Sequence, residues 1–319
     1  MAHHGSTLTM NTFFMARTAC PACRSPRRET VYACDYLANP VRDFLVNYYR
    51  QSGRLDLAYL EGVRYLLEEC CDCGLVYQSQ VPSDSLNEIL YREKPIPPPP
   101  EECGHSLSYH ARNVERLMSL AAYLSRKSSD IRICDFGFGW AEWISLGVAL
   151  GFQACGCELT EVKKEFARSR GVQVMEWDQI PGAGFDYIHC DWVFEHLREP
   201  RDTLEQLVRG LRVGGLIMIS VPYRHHIQRR LKADRWNVPR DSRKSLNAVH
   251  PMEHINCWEG CSLNRMAEAC GLRPIKIPVR RQRMILSWDQ PREAVKSLLR
   301  PFYHNGYPWH DERYFERTA

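Results

Sequence analysis

The chain has 319 residues, with 42 Lys and Arg against 38 Asp and Glu, 44% apolar residues and 25% charged ones. That composition excludes wholesale disorder, and a chain of this length divides into two domains or one large domain with an appendage. No run approaches the roughly 18–20 uninterrupted apolar residues of a membrane helix, so no membrane insertion is expected, and a formal net charge of +4 identifies no partner by itself.

Residues 1–16 lack a basic segment followed by an apolar core and a small-residue cleavage site, and read as a floppy leader, with the first domain opening near Arg17. Fourteen cysteines without an export signal point to a reducing, cytoplasmic setting, where thiols serve as metal ligands or small buried side chains. Residues 17–92 carry two C-x-x-C pairs, Cys20-Pro-Ala-Cys23 and Cys70-Cys71-Asp72-Cys73, around helix-like sequence (NPVRDFLVNYYR and LDLAYLEGVRYLLEE). Two such turns can set four thiolates at the corners of a tetrahedron, so Cys20, Cys23, Cys70 and Cys73 are expected to hold a structural zinc ion. Cys34 and Cys71 are spare thiols, and Cys103 with His105 would be a weaker second metal pair. Residues 93–104 (EKPIPPPPEECG) read as a semi-rigid polyproline linker.

Residues 105–290 alternate between helix and strand signals. Val114, Leu117, Met118, Ala121 and Leu124 recur at helical spacing, and IRICDFG is then a short apolar run ending at glycines, as in a buried parallel strand. AEWISLGVALG reads as a helix, FQACGCEL as a strand and EVKKEFARSRG as a helix stopped by Gly171. VQVMEW, FDYIHCDWV and LIMISVP are further strands, with TLEQLVRGLRVGG a helix between the last two. SLNRMAEACG is another helix, and LRPIKIPV with RMILSW suggests a closing antiparallel hairpin. Strands separated by helices imply a doubly wound, mostly parallel α/β sheet covered on both faces. Residues 291–319 add a helical tail and a polar aromatic terminus.

Ligands of such sheets sit at the carboxyl ends of the strands, at the first strand-to-helix turn. Here that turn is Asp135-Phe136-Gly137-Phe138-Gly139-Trp140-Ala141-Glu142, and Glu158 follows about 20 residues later, where a carboxylate can accept the hydroxyls of an adenosine ribose. A dinucleotide fingerprint would place its third glycine at position 142, beside a pyrophosphate on the helix N-terminus. Position 142 is glutamate, which repels phosphate. S-adenosylmethionine carries no phosphate and a positive sulfonium, so it is the expected cofactor.

The runs ICDFGFG, CELT, FDYIHCDWVFEHLREP and LRVGGLIMISVP, in this order, resemble the class I S-adenosylmethionine-dependent methyltransferases, especially the branch with an E-H-L segment after the fourth strand. The resemblance covers roughly residues 105–290 and implies a Rossmann-like, seven-stranded sheet whose seventh strand is antiparallel. It departs from the D-x-G-x-G-x-G pattern at Ala141. It implies that Asp135, Gly137 and Gly139 cradle the methionine part and that Glu158 holds the ribose. Asp178 would lie near the adenine amino group, and Cys190 and Asp191 would face the cofactor. The two cysteine pairs resemble the small zinc ribbon found before some bacterial methyltransferases, including sugar C-methyltransferases, so a small zinc-ribbon and helical N-terminal domain is implied. The short C-terminal part departs from those sugar enzymes, which have a further domain there.

Glu195-His196 either supplies a base or pins the strand-to-helix connection. The segment His250-Pro-Met-Glu-His254-Ile-Asn256 resembles one that methyltransferases of this branch place beside the acceptor, so His254, then His250, are candidate general bases. Between Tyr223 and Val249 stand eight basic residues against two acidic ones. Following the fifth strand, this stretch is expected to fold over the cofactor edge, with Arg224, Arg229 and Arg235 as candidate contacts to a phosphorylated substrate and Trp236 as a stacking surface. Together these readings suggest a methyltransferase acting on a small anionic acceptor, such as a nucleotide-linked sugar or a cell-envelope precursor. The alternative is a non-catalytic module that binds S-adenosylmethionine or RNA. A nearly neutral chain argues against a nucleic-acid substrate, and the oligomeric state is left open.

Overall fold

The computed structural model describes residues 12–52, 55–93, 99, 106–222, 226–239, 242, 244–285, 291–306 and 312–319. The chain divides into two compact units, Met1–Ile96 with His226–Cys257, and Pro97–His225 with Trp258–Ala319.

The first unit opens with β1 (Phe14–Ala16), so the expected leader gives way to ordered chain before Arg17. β2 (Arg28–Asp35) precedes α1 (Val41–Ser52) and the antiparallel partner of β2, β3 (Arg64–Cys70). The second helix-like stretch is therefore only a short 3-10 turn at Leu57–Leu60 followed by this strand. Val63, Tyr65 and Leu67 alternate into the core at the period of a strand, and that burial overrides the helix propensity of the Leu-Leu-Glu-Glu run. β4 (Val76–Gln78) adds to β3, β5 (Gln80–Pro82) pairs with β1, and α2 (Asp84–Glu93) follows.

The second unit begins with α3 (Leu107–Leu124), capped by the Ser106 hydroxyl, which accepts from the Tyr109 N–H. Then come β6 (Arg132–Phe136), α4 (Glu142–Ala149), β7 (Gln153–Cys157), α5 (Glu161–Ser169), β8 (Gln173–Val174), β9 (Phe185–Asp191), α6 (Pro200–Gly210) and β10 (Leu211–Ser220). The paired glycines that look like a helix exit lie inside β10, where the register with β9 shifts between Leu211 and Leu216.

The chain then returns to the first unit with α7 (Ile227–Lys232) and β11 (Asn256–Cys257), which pairs with β4 and completes a four-stranded antiparallel sheet, β11-β4-β3-β2. The expected division kept this stretch within the domain spanning 105–290. Instead Ile227, Leu231, Trp236, Leu246 and Val249 join Tyr36, Leu45, Tyr65 and Leu67 in one buried cluster.

Back in the second unit, α8 (Gly260–Ala269), β12 (Leu272–Ile275), α9 (Pro291–Gly306) and β13 (Glu312–Arg317) complete the fold. The seven-stranded sheet has the order β12-β13-β10-β9-β6-β7-β8, parallel across β10, β9, β6, β7 and β8. β13 is antiparallel to both neighbours. The closing antiparallel pair thus uses the C-terminal strand, not the RMILSW run: residues 283–285 are not in a strand and 286–288 lie outside the described residues. The terminus read as a tail is an interior strand of the sheet. Between this sheet and its helices, Leu117, Ile133, Phe138, Trp143, Ile144, Tyr187, Leu216 and Met218 form the core. Among the described residues no helix is long and apolar enough to cross a membrane.

Candidate functional site

The glycine turn leaves β6 at the carboxyl edge of the parallel strands. Gly137 has φ +78° and donates its N–H to the Cys157 carbonyl at the end of β7, 2.8 Å away. A Cβ at Gly137 would lie 2.7 Å from Cγ2 of Val193, in the loop after β9. Glycine is therefore demanded twice, by conformation and by space. At Gly139 (φ +57°) a Cβ would meet nothing within 4 Å, so the backbone there faces open space. The Gly139 N–H donates to Glu158 Oε2 at 3.0 Å, while Glu158 Oε1 accepts from the N–H groups of Leu159 (2.9 Å) and Thr160 (3.1 Å). Three backbone donors thus fix the carboxylate across the turn, and Oε2 retains accepting capacity. Ala141, where the family pattern has glycine, is fully buried and left-handed, with φ +57°.

Asp135 is buried beside this turn. Burial, then Asp191, then Glu158 push its carboxyl well above the usual carboxylate range. Asp191, exposed at the end of β9, accepts from the Ser220 hydroxyl at the end of β10. Tyr109, in the first turn of α3, has its hydroxyl pKa raised by burial and then by Glu142 and Asp191, so the helix sets a phenol next to the acids. This edge of the sheet is therefore a concentration of carboxylates: Asp135, Glu142, Glu158 and Asp191. It suits a cation and opposes a pyrophosphate. Asp178 is exposed in the short turn Trp177–Gln179, and Trp177 packs on Phe136 with ring centroids 5.2 Å apart. Cys190 is buried within β9, one residue from the exposed Asp191, as strand alternation requires.

Residues 108–277, just over half of the chain, match the family described as "Methyltransferase domain". The chain belongs to this methyltransferase family. A search of curated proteins found no match. Among solved structures, the methyltransferase chain is similar to an amino pentose methyltransferase from Micromonospora echinaspora, at 22% identity over 42% of this chain, with a TM-score of 0.32; it spans 55% of that protein's length. It is similar to a plantazolicin methyltransferase solved with a desmethyl-plantazolicin analogue and S-adenosylhomocysteine, at 12% identity over 74% of this chain and 91% of that one (TM-score 0.45). It is also similar to an S-adenosylmethionine-dependent methyltransferase from Mesorhizobium loti, at 15% identity over 62% of this chain and 96% of that one (TM-score 0.40).

In the methyltransferase unit, the loop after β9 holds features that sequence patterns do not expose. Trp192 is left-handed (φ +57°) and half exposed, next to Asp191. Glu195 is 0% exposed, and neither carboxyl oxygen has a hydrogen-bond partner among the described residues. Burial raises its pKa to about 8, with Asp191 adding to the rise. His196 Nε2 lies 3.8 Å from Glu195 Oε1, and the His196 side chain is 36% exposed. Glu195 does not cap the following helix: the residue before α6 is Glu199, with no side-chain cap.

His250 and His254 belong to the first unit. His250 is 0% exposed, with Nδ1 2.9 Å from the Pro251 carbonyl oxygen and its ring against Phe44 and Tyr48, at 4.9 and 4.3 Å between centroids. His254 is 3% exposed, with Nδ1 against the Asn247 carbonyl oxygen. Arg229 and Arg235 are exposed, also in the first unit, while Arg224 lies outside the described residues, as do Cys103 and His105. Trp236 is 3% exposed and wedged among Tyr32, Phe44 and Tyr65, so it is a core side chain with at most one edge available.

The four predicted zinc ligands come together in the first unit. The β2–β3 register sets Arg28 opposite Cys70, which brings the two C-x-x-C turns to the same end of the hairpin despite the 46 residues between them. Each turn ends in a left-handed residue, Arg24 (φ +63°) and Gly74 (φ +75°), whose N–H returns to the first cysteine's carbonyl at 2.8 and 2.9 Å. Cys20 and Cys73 sulfurs are 3.6 Å apart and Cys23 and Cys70 sulfurs 3.4 Å, with all four within 4.8 Å of one another. Zn–S bonds of about 2.3 Å in a tetrahedron put sulfurs about 3.8 Å apart, so the set fits a tetrahedral metal with little adjustment. The hydrogen bond between Cys20 and Cys73 draws the Cys20 thiol down and pushes the Cys73 thiol up, so one of this pair is poised as a thiolate. Cys34 sits at the far end of β2, opposite Tyr65, and Cys71 is exposed.

Proposed function

We propose that this methyltransferase transfers a methyl group from S-adenosylmethionine to a small anionic acceptor, of which a nucleotide-linked sugar or other cell-envelope precursor is the leading class. The observation that carries the donor assignment is the grouping of Asp135, Asp191 and Glu158 at the glycine turn, where burial first and then the other two carboxylates push the Asp135 carboxyl up. A cationic donor relieves that repulsion, whereas a dinucleotide phosphate adds to it. When bound, S-adenosylmethionine supplies an electrophilic methyl on a positive sulfur.

In this reading, Gly137 and Gly139 let the backbone approach the donor, and Glu158 Oε2 accepts a ribose hydroxyl. Leu159 and Trp177, both exposed, would serve the adenine, together with Asp178. Of the three candidate bases, His250 and His254 are buried with Nδ1 on main-chain carbonyls, so His196 becomes the preferred proton acceptor. A structural zinc ion on Cys20, Cys23, Cys70 and Cys73 would hold the first unit. The described cysteines are all free thiols, which fits a reducing, cytoplasmic compartment.

Two measurements test the reading. Calorimetry is expected to show binding of S-adenosylhomocysteine and none of NADH, and tight NADH binding would overturn it. Incubation with methyl-labelled donor and a cell extract should place label in a low-mass anionic metabolite that gains one methyl. Retention of the donor unchanged would favour a binding module instead.

A further inference from the structure

The first unit contains a cleft of about 240 Å³ that belongs neither to the glycine turn nor to the cysteine cluster. An apolar cavity of about 150 Å³ holds a benzene ring, so this one has room for a single ring system. One wall comes from α1, where Phe44 and Tyr48 lie one helical turn apart with ring planes within 9° of parallel. Trp236 closes against Phe44 at 5.3 Å and 66°. Asn47, Asn237 and Asn247 also line the cleft, and none of its lining among the described residues is charged.

The aromatic surfaces are held in place before any ligand arrives. Trp236 is pinned by Tyr32 and Tyr65, and the Tyr48 hydroxyl donates to Glu253 Oε2 at 3.2 Å. Such preorganisation lowers the entropic cost of binding. The cations are adjacent in sequence rather than inside: Arg235 precedes Trp236, Lys244 precedes Ser245 of the lining, and both are exposed.

We propose that this cleft binds the base of a nucleoside diphosphate, with Arg235 and Lys244 serving its phosphates. The partly exposed rings of Phe44 and Tyr48 can stack on a planar heterocycle, with Trp236 contributing an edge, and neutral amides offer the donor and acceptor pairs that read a base edge. A phosphate among the described lining residues would lie uncompensated, whereas the exposed Arg235 and Lys244, each next in sequence to a lining residue, can pair with it. The proposal rests on the nucleotide-linked reading of the acceptor and locates its handle, in the unit that carries the basic segment.

The test is calorimetry and saturation-transfer NMR on the full chain, with uridine, thymidine, cytidine and guanosine diphosphates as probes. Inorganic pyrophosphate, methyl glycosides and S-adenosylhomocysteine serve as comparisons. At least one nucleoside diphosphate is expected to bind, with its base protons receiving stronger saturation than its ribose protons. Asn47→Ala and Asn237→Ala, both at exposed positions, should each weaken that binding by about tenfold, the scale of one lost hydrogen bond. Both variants should leave S-adenosylhomocysteine affinity unchanged. Arg235→Gln should weaken the diphosphate but not the parent nucleoside. If S-adenosylhomocysteine binds and none of the four diphosphates does, the cleft assignment fails while the methyltransferase reading stands. Nucleotide binding indifferent to Asn47 and Asn237, or methyl glycosides binding in place of nucleotides, would also overturn the cleft. Loss of S-adenosylhomocysteine binding in the wild-type chain would count against the donor reading alone.

Discussion

The Gln78 side chain holds the His250 main chain: Gln78 Nε2 donates to the His250 carbonyl oxygen at 2.9 Å, in a fully buried setting. The same amide nitrogen donates to the His254 carbonyl oxygen at 3.1 Å, and Gln78 Oε1 accepts from the Met252 N–H at 3.1 Å. One glutamine in β4 thus satisfies three main-chain groups of the turn that carries both histidines. Gln78→Leu keeps the volume but leaves the His254 carbonyl and the Met252 N–H without this partner, while the His250 carbonyl retains the His254 N–H at 3.0 Å. At about 1–3 kcal/mol for each of these two groups, the first unit should lose at least ~2 kcal/mol. Urea unfolding followed by the fluorescence of the Trp236 region checks this, and an unchanged midpoint would show that the turn finds other partners.

The cysteine cluster predicts how the chain responds to metal removal. Elemental analysis of purified protein should give one zinc per chain, and a strong chelator should loosen the first unit, because the knuckles lose the bonds that join the start of β2 to the end of β3. Hydrogen exchange should rise through β2, β3 and β4 while β6, β9 and β10 stay protected. Protein that contains no metal as isolated, or equal loosening of both units, would contradict a structural zinc site.

The parallel core and the glycine turn were legible because their signals are local. An apolar run ended by Gly137, a helix stopped by Gly171 and an acid at Glu158 lie within a few dozen residues of one another. The placement of residues 226–257 was not. The spacing of Ile227, Leu231 and Val249 says that they are buried but not against which partner, and the partner, the β2–β3 hairpin, lies about 180 residues earlier in the chain. β13 was missed for another reason. In ERYFER only Phe315 is fully buried, so a central strand carries no apolar alternation, and its polar neighbours are sheltered by ion pairs such as Arg116 with Glu312. Nothing local distinguishes Tyr109, and the Glu195-His196 pair is visible in the sequence without the burial that sets the chemistry of Glu195. Their chemistry comes from burial and from carboxylates brought near by the fold.

Glu158→Ala tests the donor site directly. The substitution removes the acceptor of the Gly139, Leu159 and Thr160 N–H groups as well as the proposed ribose contact. S-adenosylhomocysteine affinity should fall by roughly 1–3 kcal/mol, the scale of a lost charge-assisted hydrogen bond. Glu158→Gln keeps one carbonyl oxygen and should lose less. Calorimetric affinities equal to wild type in both variants would mean that the ribose lies elsewhere.

Glu195 gives the fold a pH dependence of a stated sign. Its folded pKa of about 8 lies above the ordinary 4.5, because burial disfavours the carboxylate. The folded state therefore keeps the proton that the unfolded chain releases, and its contribution is intact below pH 4.5 and erodes as pH rises toward 8. Each pH unit in that window costs about 1.4 kcal/mol, so roughly 3 kcal/mol is gone by pH 7. Glu195→Gln has no proton to lose. It should raise the Tm of the second unit over wild type, by little at pH 5 and by several degrees at pH 8. A Tm difference that stays constant from pH 5 to pH 8 would show that Glu195 is ionised in the folded protein, and that a cation or donor group compensates it.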